Sequence, residues 1–412
     1  MRNMGELKKS PEVRFNSYTE DWQLTQLKDV STYANGGSFE EHVKKIGKYE
    51  LITLKSVDVN GNLVSSQKFI DIDAPTLPKD TLVMILSEQS PGLLGVTAQI
   101  PAPNKYVLNQ RVAEIRPNAG INSSFLSMVI NRNQQYFGKR GAGTKVQNIS
   151  KPNVENYTFY APEINEQNKI SSLISNLDSS IKNHQTQLTK LKNLKKAMLV
   201  KMFPQEGATV PEIRFKGFDG EWESYQLGNI GNTFTGLSGK TKEDFGKGEA
   251  RYIPYTNVFN NEVTDRNQLE KIEIDESQST VHYGDVLFTT SSETPEEVGM
   301  SSVWLEKDEN VYLNSFCFGY RFKEKVDNYF IAYYMRSQYF RENMKILAQG
   351  ISRFNISKTK VMEIDILLPE ETEQTKVGKY FTNLDKIIIG HEVQLKKLNN
   401  IKKACLTKMF VA

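Results

Sequence analysis

The side chains that could carry out chemistry do not form any of the common catalytic motifs. Gly239-Lys-Thr241 ends like a phosphate-binding loop, but Phe234 stands where such a loop requires glycine. The one Glu-x-Lys sequence, which a metal-dependent nuclease would need, is Glu6-Leu-Lys8 near the N-terminus. The Gly-rich cofactor loop and the Asn/Asp-Pro-Pro-aromatic tetrad of a methyltransferase are absent, and the four scattered histidines do not suggest a metal cluster. The sequence therefore predicts a chain without a catalytic centre of its own.

Polar, glycine-containing loops between predicted strands offer a different chemistry, namely hydrogen bonds to phosphates and to the edges of bases. Lys, Arg, Ser, Thr, Asn and Gln on loops are the residue types that make such contacts. Each loop alone is a weak signal, but similar loops occur at matching places in both halves of the chain. The candidate DNA-binding residues are Ser38, Lys44, Lys45, Lys55, Ser87, Gln89, Ser90, Lys139, Arg140, Lys145, Thr235, Ser238, Lys240, Lys242, Thr256, Asn257, Ser291, Ser292, Thr294, Gln349, Ser352 and Arg353.

Length and composition bound the class of protein. With 412 residues, of which 38% are hydrophobic, the chain is expected to form two or three domains with real cores. It has no apolar run long enough to cross a membrane and no apolar stretch of a signal peptide at its start. Cys317 and Cys405 lie far apart, which fits a reducing compartment. We expect a cytoplasmic protein that does not associate with membranes.

The net charge of +3 is unevenly distributed. Residues 166–203 and 372–412 each carry a net charge of +5, whereas residues 204–371 carry −10. Two basic segments and one acidic globular segment are not what a simple DNA-binding protein would show. We therefore expect the second globular segment to bind DNA weakly unless it has a locally basic face or help from partners.

The chain is a tandem duplication. Pro11-Glu-Val-Arg-Phe15 recurs as Pro211-Glu-Ile-Arg-Phe215, and Trp22 falls on Trp222, both at an offset of 200. Further matches, at an offset of 207, are Pro162-Glu163 with Pro369-Glu370, Asn176-Leu-Asp178 with Asn383-Leu-Asp385, His184 with His391, and Lys195-Lys-Ala197 with Lys402-Lys-Ala404. Between these anchors the halves differ freely. Two binding modules with different ligands would show this pattern, and neutral drift after duplication is the alternative.

Each half ends in a long helix. Apolar residues follow steps of three and four after Pro162 and again after Pro369, which is typical of helix-on-helix packing. The predicted seams are Leu173, Leu177, Ile181, His184, Leu188, Leu191, Leu194, Met198 and Met202, and Tyr380, Leu384, Ile388, His391, Leu395, Leu398, Ile401, Cys405 and Met409. We expect an antiparallel pair related by a pseudo-twofold axis. Gly378 and Gly390 should weaken the second helix by about 1 kcal/mol each.

The histidines and lysines of these helices can each be interpreted in two ways. The seam histidines are expected to bond a neighbour, with a catalytic or metal-binding role as the less favoured alternative. The lysines off the seam, among them Lys192 and Lys195, are expected to face solvent, with a path for phosphates as the alternative.

The segments 11–160 and 211–368 have a mixed pattern of strands and helices. Predicted strands are Tyr49–Leu54, Leu82–Leu86, Val286–Thr290 and Glu363–Leu368, and predicted helices are Ser123–Gln135 and Tyr329–Leu347. Trp22 and Trp222 are expected to anchor the two cores, with a binding role as the less favoured alternative. Arg116 and Arg321, at paired positions, are equally candidates for binding and for scaffold ion pairs. The fold class is therefore α+β, with two mixed α/β domains and two long helices packed as an antiparallel coiled coil.

This arrangement resembles the specificity subunits of Type I restriction-modification enzymes over essentially the whole chain. The residues that carry the resemblance are the Trp22 and Trp222 openings, Lys79–Leu82 and Gly284–Leu287, Leu108-Asn-Gln-Arg111, Asn148-Ile-Ser150 and Asn355-Ile-Ser357, the Pro162-Glu163 and Pro369-Glu370 boundaries, and the Lys-Lys-Ala…Lys-Met-Phe helix ends. The short motifs are moderately specific one by one, and their ordered double set is highly specific.

The resemblance implies a function without catalysis by this chain. Target-recognition domains at residues 1–163 and 205–370 would each read one half of a bipartite, asymmetric site in double-stranded DNA. Helical spacers at 164–204 and 371–412 would set the separation and recruit two methyltransferase subunits, and restriction subunits would complete the complex. S-adenosylmethionine, ATP and Mg²⁺ would bind to these partners, and this chain would bind no cofactor or metal. The alternatives are a coiled-coil scaffold without a nucleic-acid role and a DNA-modifying enzyme with an unrecognised active site.

Overall fold

The computed structural model describes residues 9–89 and 92–411. Its contacts divide the chain into two compact units, Met1–Asn183 with Leu395–Ala412 (unit 1) and His184–Gln394 (unit 2). Two predictions, the candidate DNA-binding residue Ser90 and the Glu6-Leu-Lys8 sequence, lie outside the described residues.

Unit 1 is built from short strands and from helices of very different lengths. Its strands are β1 Gln23–Gln26, β2 Ser31–Asn35, β3 Tyr49–Ile52, β4 Phe69–Ile70, β5 Leu82–Ile85, β6 Ser87–Glu88, β7 Thr97–Gln99, β8 Tyr106–Leu108, β9 Val112–Pro117, β10 Gln147–Asn148 and β11 Thr158–Ala161. Its helices are α1 Leu27–Val30, α2 Ser123–Arg132, α3 Gln134–Gly138, α4 Lys151–Glu155 and the first part of α5 Ile164–Lys201. Single 3-10 turns lie at Glu40–His42 and Leu54–Ser56.

Unit 2 repeats this order of elements. Its strands are β12 Glu223–Gln226, β13 Gly231–Thr235, β14 Phe245–Ile253, β15 Glu270–Ile272, β16 Val286–Thr289, β17 Ser291–Ser292, β18 Ser301–Val303, β19 Val311–Leu313, β20 Cys317–Phe322, β21 Phe354–Asn355 and β22 Asp365–Leu368. Its helices are α6 Leu227–Ile230, α7 Tyr255–Asn260, α8 Asn328–Tyr334, α9 Gln338–Ile346, α10 Lys358–Val361 and most of α11 Glu371–Lys408. The 3-10 turns are Lys242–Asp244, Arg266–Gln268 and Pro295–Glu297.

The two units have the same sheet topology. A four-stranded antiparallel sheet has the order β2-β9-β5-β7 in unit 1 and β13-β20-β16-β18 in unit 2. A three-stranded sheet, β4-β3-β8 or β15-β14-β19, contains one parallel pair in each case. Two two-stranded ladders complete each unit. The predicted α+β class, with two mixed domains and two long helices, is confirmed.

The core of each unit is closed by a tryptophan and by the residues that directly follow a long helix. In unit 1, Trp22 is 2% exposed and packs edge-on against Phe125 and Phe410. In unit 2, Trp222 is 2% exposed and packs against Phe203. The prediction that both tryptophans anchor cores is confirmed, and the repeated Lys-Met-Phe ending supplies the aromatic ring that each tryptophan needs.

Each long helix contains 38 residues, about 57 Å at 1.5 Å per residue. The helices run antiparallel where they meet inside unit 2, because His184 lies beside His391 while Lys195, further along α5, lies beside Asp385. The two histidine Nδ1 atoms are 2.9 Å apart, so one ring donates a hydrogen bond to the other. The interpretation of these histidines as seam residues bonded to a neighbour is confirmed. None of the described helices has both the length and the apolar character of a membrane-spanning segment.

The predicted seam is wrong at one place in each helix. Leu194 and Ile401 occupy equivalent positions and are exposed by 41% and 39%. The neighbouring Lys195 turns inward instead, where its ammonium group bonds Glu262 and Asp385. A lysine paired with carboxylates can take a position in the interface that a leucine would otherwise fill, so Lys195 does not belong to a solvated face.

The Lys195 cluster makes the stability of unit 2 dependent on pH. Burial of Glu262 opposes its ionisation, but the charge and the hydrogen bond of Lys195, together with the charge of Arg336, hold the pKa of Glu262 below its ordinary value. Stability from this group is therefore complete above the ordinary glutamate pKa and is lost as the pH falls through the lower folded value. We expect Glu262→Gln to reduce the acid sensitivity of unit 2, measured by urea unfolding between pH 3 and pH 7. An unchanged pH profile would contradict this.

The two glycines of α11 differ, contrary to the expectation that both merely weaken the helix. A Cβ atom at Gly378 would lie 2.8 Å from the backbone nitrogen of Phe330, whereas one at Gly390 would meet nothing within 4 Å. Gly378 is thus required by the close approach of α8. We expect Gly390→Ala to raise the free energy of unfolding by about 1 kcal/mol and Gly378→Ala to lower it. Equal effects in urea denaturation would contradict this assignment.

The shorter predicted elements are found with changed ends. The predicted helix Tyr329–Leu347 is in fact two helices, α8 and α9, because the Ser337 side chain caps the second by accepting from the backbone N–H of Phe340. The helix predicted to start at Ser123 does so, but ends at Arg132 before the separate helix α3. Arg321 forms a bidentate ion pair with Asp285, which favours the scaffold alternative for this residue.

Candidate functional site

A tight hairpin projects from the same place in each unit. Hairpin 1 (residues 142–148) and hairpin 2 (residues 349–355) are each closed by reciprocal backbone hydrogen bonds of 2.9 Å between their first and last residues. Gly143 has φ +126° and Gly350 has φ +140°, and a Cβ atom at either glycine would lie 2.0 Å from a backbone oxygen of the same hairpin. Only glycine fits this conformation, so both turns are built the same way.

The hairpins bring together candidate DNA-binding residues that are far apart in the sequence. In unit 2, β17 pairs with β21, which places Ser291, Ser292 and Thr294 beside hairpin 2 with its Gln349, Ser352 and Arg353. In unit 1, β6 pairs with β10, which places Ser87 and Gln89 beside hairpin 1 with its Lys145, just after Lys139 and Arg140. Each unit therefore has one loop cluster in which about half of its candidates meet.

Four candidates are directed into the protein. Ser87, Ser291 and Ser292 are at most 7% exposed, because the short strands that contain them are covered. Asn257 is fully buried, and its side-chain amide donates to the backbone of Asp265 and accepts from it. The structure places these four residues in the scaffold beneath the loops and not on the surface.

A second group of candidates begins at the end of the first strand of each four-stranded sheet and continues in the segments that follow, with Thr235 as the last residue of β13 and Lys55 in the 3-10 turn after β3. The backbone N–H groups of Gly37 and Leu237 donate to the carbonyls of the last residues of β8 and β19. Ser38 and Ser238, the next residues, are therefore equivalent. The exposed candidates of this group are Ser38, Lys44, Lys45 and Lys55 in unit 1, and Thr235, Ser238 and Lys242 in unit 2. Thr256 is also exposed, on α7.

Some candidate lysines are already engaged. Lys44 bonds Asp71 at 2.8 Å and Lys240 bonds Asp275 at 2.7 Å. These hydrogen bonds lower the pKa of both aspartates. In contrast, the part of the chain that the structure describes offers no ion-pair partner to the exposed ammonium groups of Lys45, Lys55, Lys139, Lys145 and Lys242. Of these, Lys139 and Lys145 lie at glycine-fixed hairpin 1, where they can bind phosphates without first breaking an internal ion pair.

Sequence reasoning missed the charge pairs that fix the start of each long helix. Arg14 forms two hydrogen bonds of 2.7 and 2.8 Å with Glu166, and Arg214 forms two of 2.7 Å with Glu373. Both carboxylates are fully buried. A signal for them was present, because Glu166-Gln167 recurs as Glu373-Gln374 at the offset of 207.

Sequence reasoning also missed an open pocket beside hairpin 2. Tyr255, Phe259, Glu293 and Phe316 line it together with the predicted Arg353. Aromatic and acidic residues were not sought among the candidates, so no pattern in the sequence pointed to this pocket. Among the described residues, no group of three or more His, Cys, Asp or Glu side chains could hold a metal ion.

The comparisons with known proteins agree with one another. The sequence model described as the Type I restriction modification DNA specificity domain matches residues 19–193 and 219–401. The putative Type I restriction enzyme MjaX specificity subunit of Methanocaldococcus jannaschii is 24% identical over 93% of this chain and 91% of that protein. The MjaVIII specificity subunit of the same organism is 22% identical over 93% of this chain and 90% of that protein. The crystal structure of the S subunit of a Type I system from M. genitalium shares the fold, with a TM-score of 0.58 and 16% identity over 97% of this chain and 99% of that one.

Proposed function

The chain belongs to the Type I restriction modification DNA specificity family, and on that premise we propose that its two units read the two halves of a bipartite, asymmetric DNA site. Specificity subunits of these systems are non-catalytic. The observation that carries the proposal is the pair of equivalent loop clusters, each with a glycine-fixed hairpin and unpaired cations, in units that share a topology but differ in loop sequence. A shared scaffold with different loops suits two different half-sites.

The partners in this proposal are double-stranded DNA, two modification subunits and, in the complete enzyme, restriction subunits. The duplicated long helices support two docking surfaces for two identical partners. S-adenosylmethionine, ATP and Mg²⁺ are then bound by those partners, and the complex acts on DNA in the cytoplasm. The target-recognition domains are assigned to residues 1–163 and 205–370, and the helical spacers to 164–204 and 371–412.

Electrostatics predict weak DNA binding by the isolated chain. Residues 204–371 carry a net charge of −10, so the second globular segment gains little from the general attraction to phosphates. The free lysines named above lie mostly in unit 1. The modification subunits are therefore expected to supply much of the contact with the DNA backbone, while this chain selects the sequence.

The test is a binding titration with fluorescent duplexes, using the purified full chain with and without its modification subunits. We expect weak binding by the chain alone that falls steeply with salt, and tight binding to one sequence by the complex. Tight, salt-insensitive binding by the chain alone would contradict the electrostatic expectation. Methyl transfer or DNA cleavage by the chain alone would favour an enzyme, and a complex that binds all sequences equally would favour a scaffold.

A further inference from the structure

The pocket beside hairpin 2 has the size and the walls of a site for part of a nucleic acid. It has a volume of about 340 Å³ and opens to solvent. The rings of Tyr255 and Phe259 are stacked at 5.8 Å with an interplanar angle of 21°, and Phe316 is 57% exposed. An exposed phenylalanine in an open pocket is apolar surface that a ligand with a flat, partly apolar edge would cover.

Three charged side chains line this pocket, and one of them, Glu297, accepts a hydrogen bond from the Thr294 hydroxyl, whereas two opposite charges lack partners. Within the described ranges, the Arg353 guanidinium makes no hydrogen bond or ion pair, and neither does the Glu293 carboxylate. Other arginines of unit 2 are engaged, since Arg321 binds Asp285 and Arg336 binds four backbone oxygens. An arginine and a glutamate that share a pocket without pairing present both a donor and an acceptor to a ligand.

A carboxylate at a surface that meets DNA needs an explanation, because phosphates repel it. The explanation lies in the major groove, where cytosine offers an N4 amino group as a donor and guanine offers the acceptors N7 and O6. Arginine pairs with guanine in two hydrogen bonds, and glutamate accepts from cytosine N4. A G·C base pair is thus the ligand that satisfies both free charges of the pocket at once.

We propose that the pocket of unit 2 reads one G·C pair of its half-site, with Arg353 donating to guanine N7 and O6 and Glu293 accepting from cytosine N4. The inference rests on the proposed function and deepens it. Phe316 supplies the apolar surface against which the edge of the base pair or a neighbouring thymine methyl group packs. Arg353 and Glu293 are therefore specificity-determining residues of unit 2.

Unit 1 cannot read a base pair in the same way. The shared offset of the two hairpins places Val146 where unit 2 has Arg353. The backbone N–H of Asn109 donates to the carbonyl of Ile52, and that of Asn314 donates to the carbonyl of Ile253, so β3 and β14 end at equivalent residues. Two residues further on, unit 1 has Leu54 where unit 2 has Tyr255. The guanidinium and the aromatic wall are both missing there, so this contact is specific to the second half-site.

The test is sequencing of N6-methyladenine in host DNA that is modified by the whole complex, with this chain either wild type or carrying Arg353→Ala. The wild-type motif is expected to contain a G·C pair in the half read by unit 2. Arg353→Ala should relax that position by about tenfold or more and leave the other half unchanged. Glu293→Gln should relax the same position, and the matched control Arg266→Ala, at an exposed arginine of unit 2 that pairs with Asp308, should leave the motif intact.

The outcomes separate this inference from the proposed function. An unchanged motif at full methylation in both Arg353→Ala and Glu293→Gln would overturn the inference alone, whereas a methylome that does not depend on this chain at all would overturn the proposed function. If Arg353→Ala abolishes methylation, Arg353→Lys decides, because lysine also donates to guanine. Recovery of methylation with the same base supports the inference, and failure to recover it in a complex that still assembles contradicts it.

Discussion

Phe203→Ala is expected to lower the free energy of unfolding of unit 2 by about 3–5 kcal/mol. Phe203 is fully buried at the end of the first long helix. Its ring lies 5.7 Å from that of Phe330, 5.6 Å from that of Tyr334 and 5.7 Å from that of Phe381. Removal of the ring leaves a cavity among rigid aromatic side chains that cannot collapse into it, so the full cost of the cavity is expected.

The tryptophans allow this loss to be measured in one unit at a time. Trp22 lies in unit 1, while Trp222 and Trp304 lie in unit 2. Denaturation by urea, followed by fluorescence in a Trp22→Phe background, reports on unit 2. The matched variant Phe410→Ala removes the equivalent ring from unit 1 and should destabilise that unit by a similar amount. A loss below about 1 kcal/mol for Phe203→Ala would show that the end of the helix does not anchor the core.

Arg214→Ala is expected to lower the free energy of unfolding of unit 2 by a similar amount, because it leaves a buried charge unpaired. Its guanidinium forms two hydrogen bonds of 2.7 Å with Glu373, whose side chain is fully buried. Without Arg214 the carboxylate remains buried and unpaired, which costs about 3–5 kcal/mol. The N-terminal turn of the second long helix is then no longer held to the segment between α5 and β12.

A double-mutant cycle separates the coupling energy between Arg214 and Glu373 from the cost of losing each side chain alone. Glu373→Gln should cost less than Arg214→Ala, about 1–3 kcal/mol, because a neutral amide needs less compensation in a buried position. Arg214→Met and Glu373→Leu, each alone and combined, form the cycle, and the double variant should lose less stability than the two single variants summed, since it leaves no buried charge. Additive effects of the two single substitutions would contradict a direct coupling between the residues.

The sequence was sufficient to predict the large features of the fold. The repeat identified two related halves, and the steps of three and four identified both long helices, because these patterns extend over tens of residues. The assignment of Leu194 to the seam was wrong, since periodicity treats lysine as an outward residue and cannot detect that Glu262 lies near Lys195. Glu262 is far away in sequence, so only tertiary structure could identify the pair.

The candidate site was predictable by residue type but not by orientation. Glycine-containing loops correctly indicated where Arg353 and Lys145 would stand on exposed hairpins. Ser291 is buried because β17 pairs with β21, a contact between segments more than sixty residues apart that no local pattern reveals. Glu293 was not among the candidates because acidic residues are not expected to contact DNA, and only the structure shows that it lines a pocket together with Arg353.

The central claim, that this chain selects the DNA sequence for a modification complex, is tested most directly by the methylome. Single-molecule sequencing of N6-methyladenine in host DNA, before and after deletion of this gene, measures that selection without purification. The account predicts the loss of one bipartite, asymmetric motif and the retention of every other methylated motif. An unchanged methylome, in a host that expresses the modification subunit and methylates a bipartite motif, would contradict it.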